Sequence, residues 1–150
     1  PLLSPRQFHE LELPALRRIL GLASECLGHP VPCIMGGNTY PILADLLATG
    51  TTYLACNVET DQEAFVESVA RTHPHVRLRV NLDPAVVASS ELERMHAGVD
   101  RVLEIIGERS NCLIGTGALP FETPPGNVRL IRDYLARRAS DQSQSQSSTL

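Results

Sequence analysis

Thr52-Tyr53-Leu54-Ala55-Cys56-Asn57 and Val76-Arg77-Leu78-Arg79-Val80-Asn81-Leu82-Asp83-Pro84 are two short apolar runs, each interrupted by asparagine, with about one helix of sequence between them. In that gap Asp61 is placed to cap a helix, and Ala64, Phe65, Val66, Val69 and Ala70 repeat at helical spacing. A strand, a helix and a second strand in this order favour parallel neighbours joined by a right-handed crossover.

The same alternation continues on both sides. Upstream, Val31-Pro32-Cys33-Ile34-Met35 predicts a further strand, stopped by Gly36-Gly37, and Pro41 to Ala48 predicts a helix closed by Gly50. Before it, Ser4 and Pro5 open a helical pattern through Phe8, Leu13, Leu16, Leu20 and Leu27, with Gly28 as its stop. Pro14 lies inside that pattern and marks a kink or a junction of two helices. Downstream, Ser90 and Glu93 form the spacing of a capping box ahead of Leu92, Met95, Val99, Val102 and Ile106. Cys112-Leu113-Ile114 predicts the fourth strand, and Val128 to Arg138 the last helix. The folded domain is expected over residues 1–138, with residues 139–150, rich in Ser and Gln, as a flexible polar tail.

Four strands separated by helices leave an open doubly wound sheet or four units of a barrel. Pattern alone leans to the open sheet, because half a barrel leaves strand edges unpaired. A dinucleotide fold would place GxGxxG after the first strand, and Gly36-Gly37-Asn38-Thr39-Tyr40 does not provide it.

Composition narrows the function classes. Hydrophobic residues make up 43% and charged residues 20%, as in soluble domains. A net charge of −4 gives no attraction to nucleic acid. All 13 basic residues are Arg, so Schiff-base and P-loop lysine chemistry is excluded within this stretch. No apolar run approaches the roughly 20 residues of a membrane span. Cys26, Cys33, Cys56 and Cys112 are too scattered for a zinc knuckle or a disulfide framework, and a reduced, cytoplasmic setting is expected. The start at Pro1-Leu2-Leu3-Ser4-Pro5, without Met, suggests a piece of a longer protein or a processed product.

The informative residues follow the strands, where parallel α/β folds bind ligands. These ends read Gly36 to Tyr40, Asn57 to Asp61, Asn81 to Pro84 and Gly115 to Pro120. Such residues also make caps and turns, and for Thr39, Thr60 and Asp61 capping is the stronger reading. Asn81 and Asp83 divide evenly between turn chemistry and ligand contact. Glu59 reads as an acid, a base or a solvated carboxylate, and for Tyr40 packing beneath the loop is the stronger reading beside a substrate contact. The five histidines fall away from these ends and show no metal-ligand spacing.

In order along the chain, Ser4-Pro5-Arg6-Gln7-Phe8 with Leu13-Pro14-Ala15-Leu16, Gly37-Asn38-Thr39 with Pro41-Ile42-Leu43, Thr60-Asp61, Asn81-Leu82-Asp83-Pro84, and Gly115 to Pro120 with Thr123-Pro124-Pro125 resemble segments of the uroporphyrinogen decarboxylase family, which includes the related cobamide methyltransferases. The resemblance implies a parallel (β/α)₈ TIM barrel, of which this chain would be the C-terminal half with about four βα units. It accounts for Pro14, which the family carries in that helix. It also implies a missing N-terminal half, the part that supplies the arginine and aspartate gripping the substrate in the decarboxylases. The family's histidine after the last strand corresponds to Thr116 here. In the methyltransferases zinc is held at positions that correspond to Ile34, Gly36 and Ala118, none of which ligates a metal. No family-type zinc site and no cofactor are therefore expected.

The resemblance implies a cofactor-free, decarboxylase-like lyase acting on a tetrapyrrole-like or other organic acid at the C-terminal strand ends. Glu59, Asp83 and Thr116 are the candidate catalytic residues, and Asn38, Thr39, Tyr40, Asn57, Asn81 and Gly117 the candidate substrate contacts. A carboxyl that donates the final proton must be buried enough to remain protonated. Two alternatives stand beside it: a corrinoid-dependent methyltransferase-like protein without the zinc ligands, and a non-catalytic half-barrel subunit. The expected partners are a small-molecule substrate and either the other half of the barrel or a second copy of the chain, with no nucleic acid and no membrane.

Overall fold

A computed structural model describes residues 3–147, with side chains through residue 141; Pro1, Leu2 and residues 148–150 of the expected tail lie outside it. The strands β1 (Tyr53–Cys56), β2 (Arg77–Leu82) and β3 (Cys112–Thr116) form one parallel sheet in the order β1-β2-β3. The helix α4 (Gln62–Thr72) carries the first crossover, and α5 (Pro84–Val87) with α6 (Leu92–Ile106) carries the second. The chain enters through α1 (Pro5–Gln7), a π-helical segment (Phe8–Glu12) and α2 (Leu13–Leu27), then α3 (Leu43–Leu47), and leaves through α7 (Pro125–Ser147). The fold is α/β, as the alternation predicts.

Three strands form where four are expected. The run from Val31 to Met35 lies beside β1 but builds no ladder. Cys33 N donates to Tyr53 O at 3.2 Å and to Thr51 Oγ1 at 2.9 Å. Pro32 next to it has no N–H to offer, so the regular pairing of a strand does not develop there. Pro14 sits at the start of α2, where the π-helical segment ends. Leu13 N reaches back five residues to Phe8 O, so the widened turn takes up the break that proline imposes. The Ser4 box forms with Gln7. The Ser90–Glu93 box does not: α6 starts at Leu92, and Ser89 Oγ instead accepts from Glu91 N at 3.0 Å. The backbone of α7 runs on helically to Ser147, across much of the segment expected as a tail. Its start is tied down by buried Asn127, whose Nδ2 donates to Val87 O and Ser89 O, both at 2.8 Å.

Register divides the sheet into two unlike faces. Leu54, Leu78 and Cys112 are level with one another, as are Val80 with Cys56 and Ile114, and their side chains join the core. Phe65, Val66 and Val69 of α4 and Met95, Val99 and Val102 of α6 fill that core, each at most 2% exposed. The opposite face carries Tyr53, Ala55, Arg77, Arg79, Asn81, Leu113 and Gly115 by strand alternation. There Arg77 and Leu113 are exposed, and Tyr53, Arg79 and Gly115 are only half-buried. Parallel sheets are normally covered on both faces. This one has a full hydrophobic layer on one.

Phe65 is fully buried at the centre of the α4–sheet contact. Phe65→Ala is expected to lower unfolding free energy by about 3–5 kcal/mol, read from urea denaturation. A loss below about 1 kcal/mol would mean that this helix does not pack as described.

Candidate functional site

The carboxyl ends of β1, β2 and β3 open onto one cavity of about 240 Å³, lined by Gly36, Gly37, Asn57, Val58, Glu59, Asn81, Leu82, Pro84, Gly117 and Ala118. Four sequence stretches far apart in the chain therefore meet at one mouth, because parallel strands all end on the same side.

Two asparagines organise it. Asn57 follows β1 directly, and its Nδ2 donates to Met35 O at 2.8 Å and Gly37 O at 3.2 Å. That fixes the Gly36-Gly37 loop against the strand end. It also fixes the amide: with both N–H groups committed to carbonyls, Asn57 Oδ1 must accept. It accepts from Asn81 Nδ2 at 2.8 Å. Asn81 is 2% exposed, and its remaining Oδ1 is buried with no hydrogen-bond partner. A buried, unanswered acceptor is costly unless a donor arrives.

A third side chain braces the pair from below. Gln62, at the first turn of α4, is 2% exposed. Its Nε2 donates to Cys56 O at 3.3 Å and Asn81 O at 2.9 Å, and its Oε1 accepts from Arg101 Nη1 at 2.9 Å. It holds the ends of β1 and β2 at a fixed separation. Sequence reasoning missed Gln62. Its signal is spacing: Gln62 shares the helical stripe of Phe65, Val66 and Val69, so a polar group there needs a buried partner.

Of the candidate site residues, Asn57, Glu59, Asn81 and Gly117 line the cavity. Glu59 is exposed at its rim. The others lie elsewhere, for local reasons. Asn38 Oδ1 accepts from Tyr40 N at 3.1 Å and so makes a turn, and with Thr39 it borders a separate apolar groove of about 510 Å³ beside Phe8, Met35 and Ile42. Thr39 has a buried hydroxyl with no partner and makes no cap bond; the same hydroxyl isolation holds for Thr60. Tyr40 turns to the α4 side, with its ring 6.3 Å from that of Phe65. Asp83 caps α5, its Oδ1 accepting from Ala85 N at 2.8 Å, as Asp61 caps α4 through Ala64 N at 3.1 Å. Thr116 is level with Leu82 and alternates with Ile114, which puts its side chain on the helix-covered side of the sheet, away from the mouth.

Burial acts on three of the cysteines. Cys33 is buried, and burial pushes its thiol pKa up; burial likewise raises Cys112. Desolvation, with smaller contributions from Cys112 and Asp61, pushes Cys56 from its ordinary value of 9.0 up to about 12. Among the described residues, no three His, Cys, Asp or Glu side chains gather as a metal site. No described helix is long and apolar enough to cross a membrane.

The fold and its polar strand ends define an α/β domain with a polar-rimmed cavity at the mouth of a parallel sheet. The family model for uroporphyrinogen decarboxylase (URO-D) matches residues 1–137. The chain belongs to that family. No curated protein matches it. Ile34, Gly36 and Ala118, the positions at which the resemblance to the methyltransferases would put zinc ligands, carry no side-chain donor atom. After equilibration with zinc and desalting, elemental analysis is expected to find well below one zinc per chain. Stoichiometric zinc that disappears in Cys33→Ser would contradict this.

Proposed function

We propose that the chain is the C-terminal half of a (β/α)₈ barrel and works as a cofactor-free, decarboxylase-like lyase on a tetrapyrrole-like or other organic acid. The observation that carries this reading is the polarised asparagine pair beside Glu59 in the strand-end cavity. The one-sided sheet supports the barrel: in a barrel the face opposite the helices points inward, where further strands cover it. That cover comes from the other half of the barrel rather than from a second copy. Arg77 and Arg79 on the open face would meet their own like charges across a symmetric ring, and like charges facing each other are destabilising. Residues 1–138 form the half-barrel in this reading, and the remaining residues lie beyond it.

In such a reaction the bond between the substrate carbon and its carboxylate breaks, CO₂ departs, and the electron pair left on carbon takes up a proton. Asn81 Oδ1 accepts a hydrogen bond from a substrate N–H or O–H and sets its orientation. Glu59 is the proton donor in this reading, in preference to Asp83 and Thr116, which are occupied by capping or lie off the cavity; exposed in this chain, it gains the burial a proton donor needs only when the other half of the barrel closes over the mouth. Asn57 positions Asn81 and Gly117 shapes the wall; Asn38, Thr39 and Tyr40, held in the separate groove and against α4, take no part in this reading.

The test is CO₂ release from uroporphyrinogen and a panel of smaller organic acids, with the chain alone and with the other half of its barrel added. Release is expected from at least one acid, with Glu59→Gln lowering kcat by about 10²–10⁴. No release from any acid under either condition, or release indifferent to Glu59→Gln, would overturn the assignment.

A further inference from the structure

We infer that Arg101, in the outer helix layer, is a positioning residue of the strand-end mouth and acts on it through Gln62. Its bearing on a reaction rests on the mouth being the reacting site, as proposed above; its hold on the mouth does not. Arg101 lies on α6, and its Nη1 donates to Gln62 Oε1 at 2.9 Å. Gln62 carries the contact from α4 to the sheet, where its Nε2 donates to Cys56 O at 3.3 Å and Asn81 O at 2.9 Å. Cys56 is the last residue of β1, and Asn81 the last but one of β2. Asn81 in turn donates through Nδ2 to Asn57 Oδ1 at 2.8 Å. One line of contacts therefore runs from a surface arginine to the two asparagines that organise the mouth.

The arginine's choice of partner supports this. Its side chain lines a cavity of about 280 Å³ between α4 and α6, together with Glu63, Glu67 and Glu104. All three glutamates are exposed, and among the described residues Arg101 forms an ion pair with none of them. It gives its donor to a neutral amide instead. Exposed ion pairs contribute little, whereas a charged donor that answers a buried acceptor spares the cost of leaving it unanswered. Gln62 is 2% exposed, and with its Nε2 committed to strand carbonyls its oxygen needs a donor from the α6 side. Without the guanidinium, the amide either turns over and sets its oxygen against two carbonyl oxygens, or draws out toward water and releases both strand ends. In each case Asn81 loses the contact that fixes its backbone beside Asn57. Arg101 does not line the strand-end cavity, so it holds geometry and takes no part in the chemistry.

The side-chain amide spectrum of the ¹⁵N-labelled chain tests this, with the signals of Asn57 and Asn81 identified by their loss in Asn57→Ala and Asn81→Ala. Arg101→Met keeps the stem and removes the donors. It is expected to shift both asparagine signals and to speed exchange of their amide protons by about tenfold or more, since a charged hydrogen bond is lost. Arg101→Lys keeps a charged donor and is expected to restore most of the wild-type pattern. Combining Arg101→Met with Gln62→Ala is expected to move the signals no further than Gln62→Ala alone, because both act through one contact. Arg109→Met is the control: it removes a charge from the same cavity, but Arg109 Nη1 bonds to Ile105 O and Ile106 O at the end of its own helix, and the asparagine signals are expected to stay in place. Urea denaturation checks that each variant is folded, and Arg101→Gln carries the same expectation should Arg101→Met fail to fold. A folded Arg101→Met with unmoved asparagine signals, as when water takes the guanidinium's place, would overturn the inference, and so would equal shifts from Arg109→Met. In the CO₂-release assay Arg101→Met is expected to lower kcat by about tenfold or more. Undiminished release would overturn the positioning role. Absence of release from the wild-type chain would overturn the lyase reading alone, since the asparagine signals still report whether Arg101 sets the mouth.

Discussion

The hydrogen bond from Asn81 Nδ2 to Asn57 Oδ1 is the contact on which the strand-end site depends. Each amide has two donors and one oxygen, and the network spends them in one direction only. Asn57 gives its donors to the Gly36-Gly37 loop, Asn81 gives one to Asn57, and Gln62 reaches the strand carbonyls from the helix side. Reversing Asn57 would set donor against donor, and reversing Asn81 would set acceptor against acceptor. The result is a mouth with a defined polarity, held by buried Asn81 and Gln62, which cannot readily trade partners with water, and by half-buried Asn57.

The second constraint is the one-sided sheet. Helices α4 and α6 give β1, β2 and β3 a close-packed apolar layer on one face, and the residues there are almost wholly inaccessible. The other face mixes Tyr53, Arg77, Arg79 and Leu113 with small Ala55 and Gly115. That mixture is neither a second apolar layer nor an ordinary solvated surface with paired charges. It suits a face that further strands would cover, as in the barrel proposed above.

Much of this was legible in the sequence. The alternation of Arg77 and Arg79 with Val76, Leu78 and Val80 marks a strand with unlike faces, and the helical stripe from Phe65 to Val69 marks the layer that covers one of them. Short polar segments after each strand located the mouth, since direction alone brings parallel strand ends together. What could not be read was direction within those segments. Asp83, Asn38 and Thr116 have the right chemistry and lie within a few residues of the cavity, yet a cap bond, a turn bond and the pleat turn them away from it. The run at Val31 to Met35 has the composition of a strand, but Pro32 removes a donor that the ladder needs. Gln62 stood out only as a polar residue on an apolar helical stripe; which strand carbonyls answer it depends on how α4 packs, and the pattern alone does not supply that.

The account turns on the asparagine pair acting as a unit, and a double-mutant cycle of Asn57→Ala and Asn81→Ala, followed by urea unfolding, measures this directly. Coupling of about 0.5–3 kcal/mol between the two sites is the result expected of neighbours in one hydrogen-bond network. Losses that simply add would mean that the two amides do not hold each other, and that the mouth has no fixed polarity for a ligand to read.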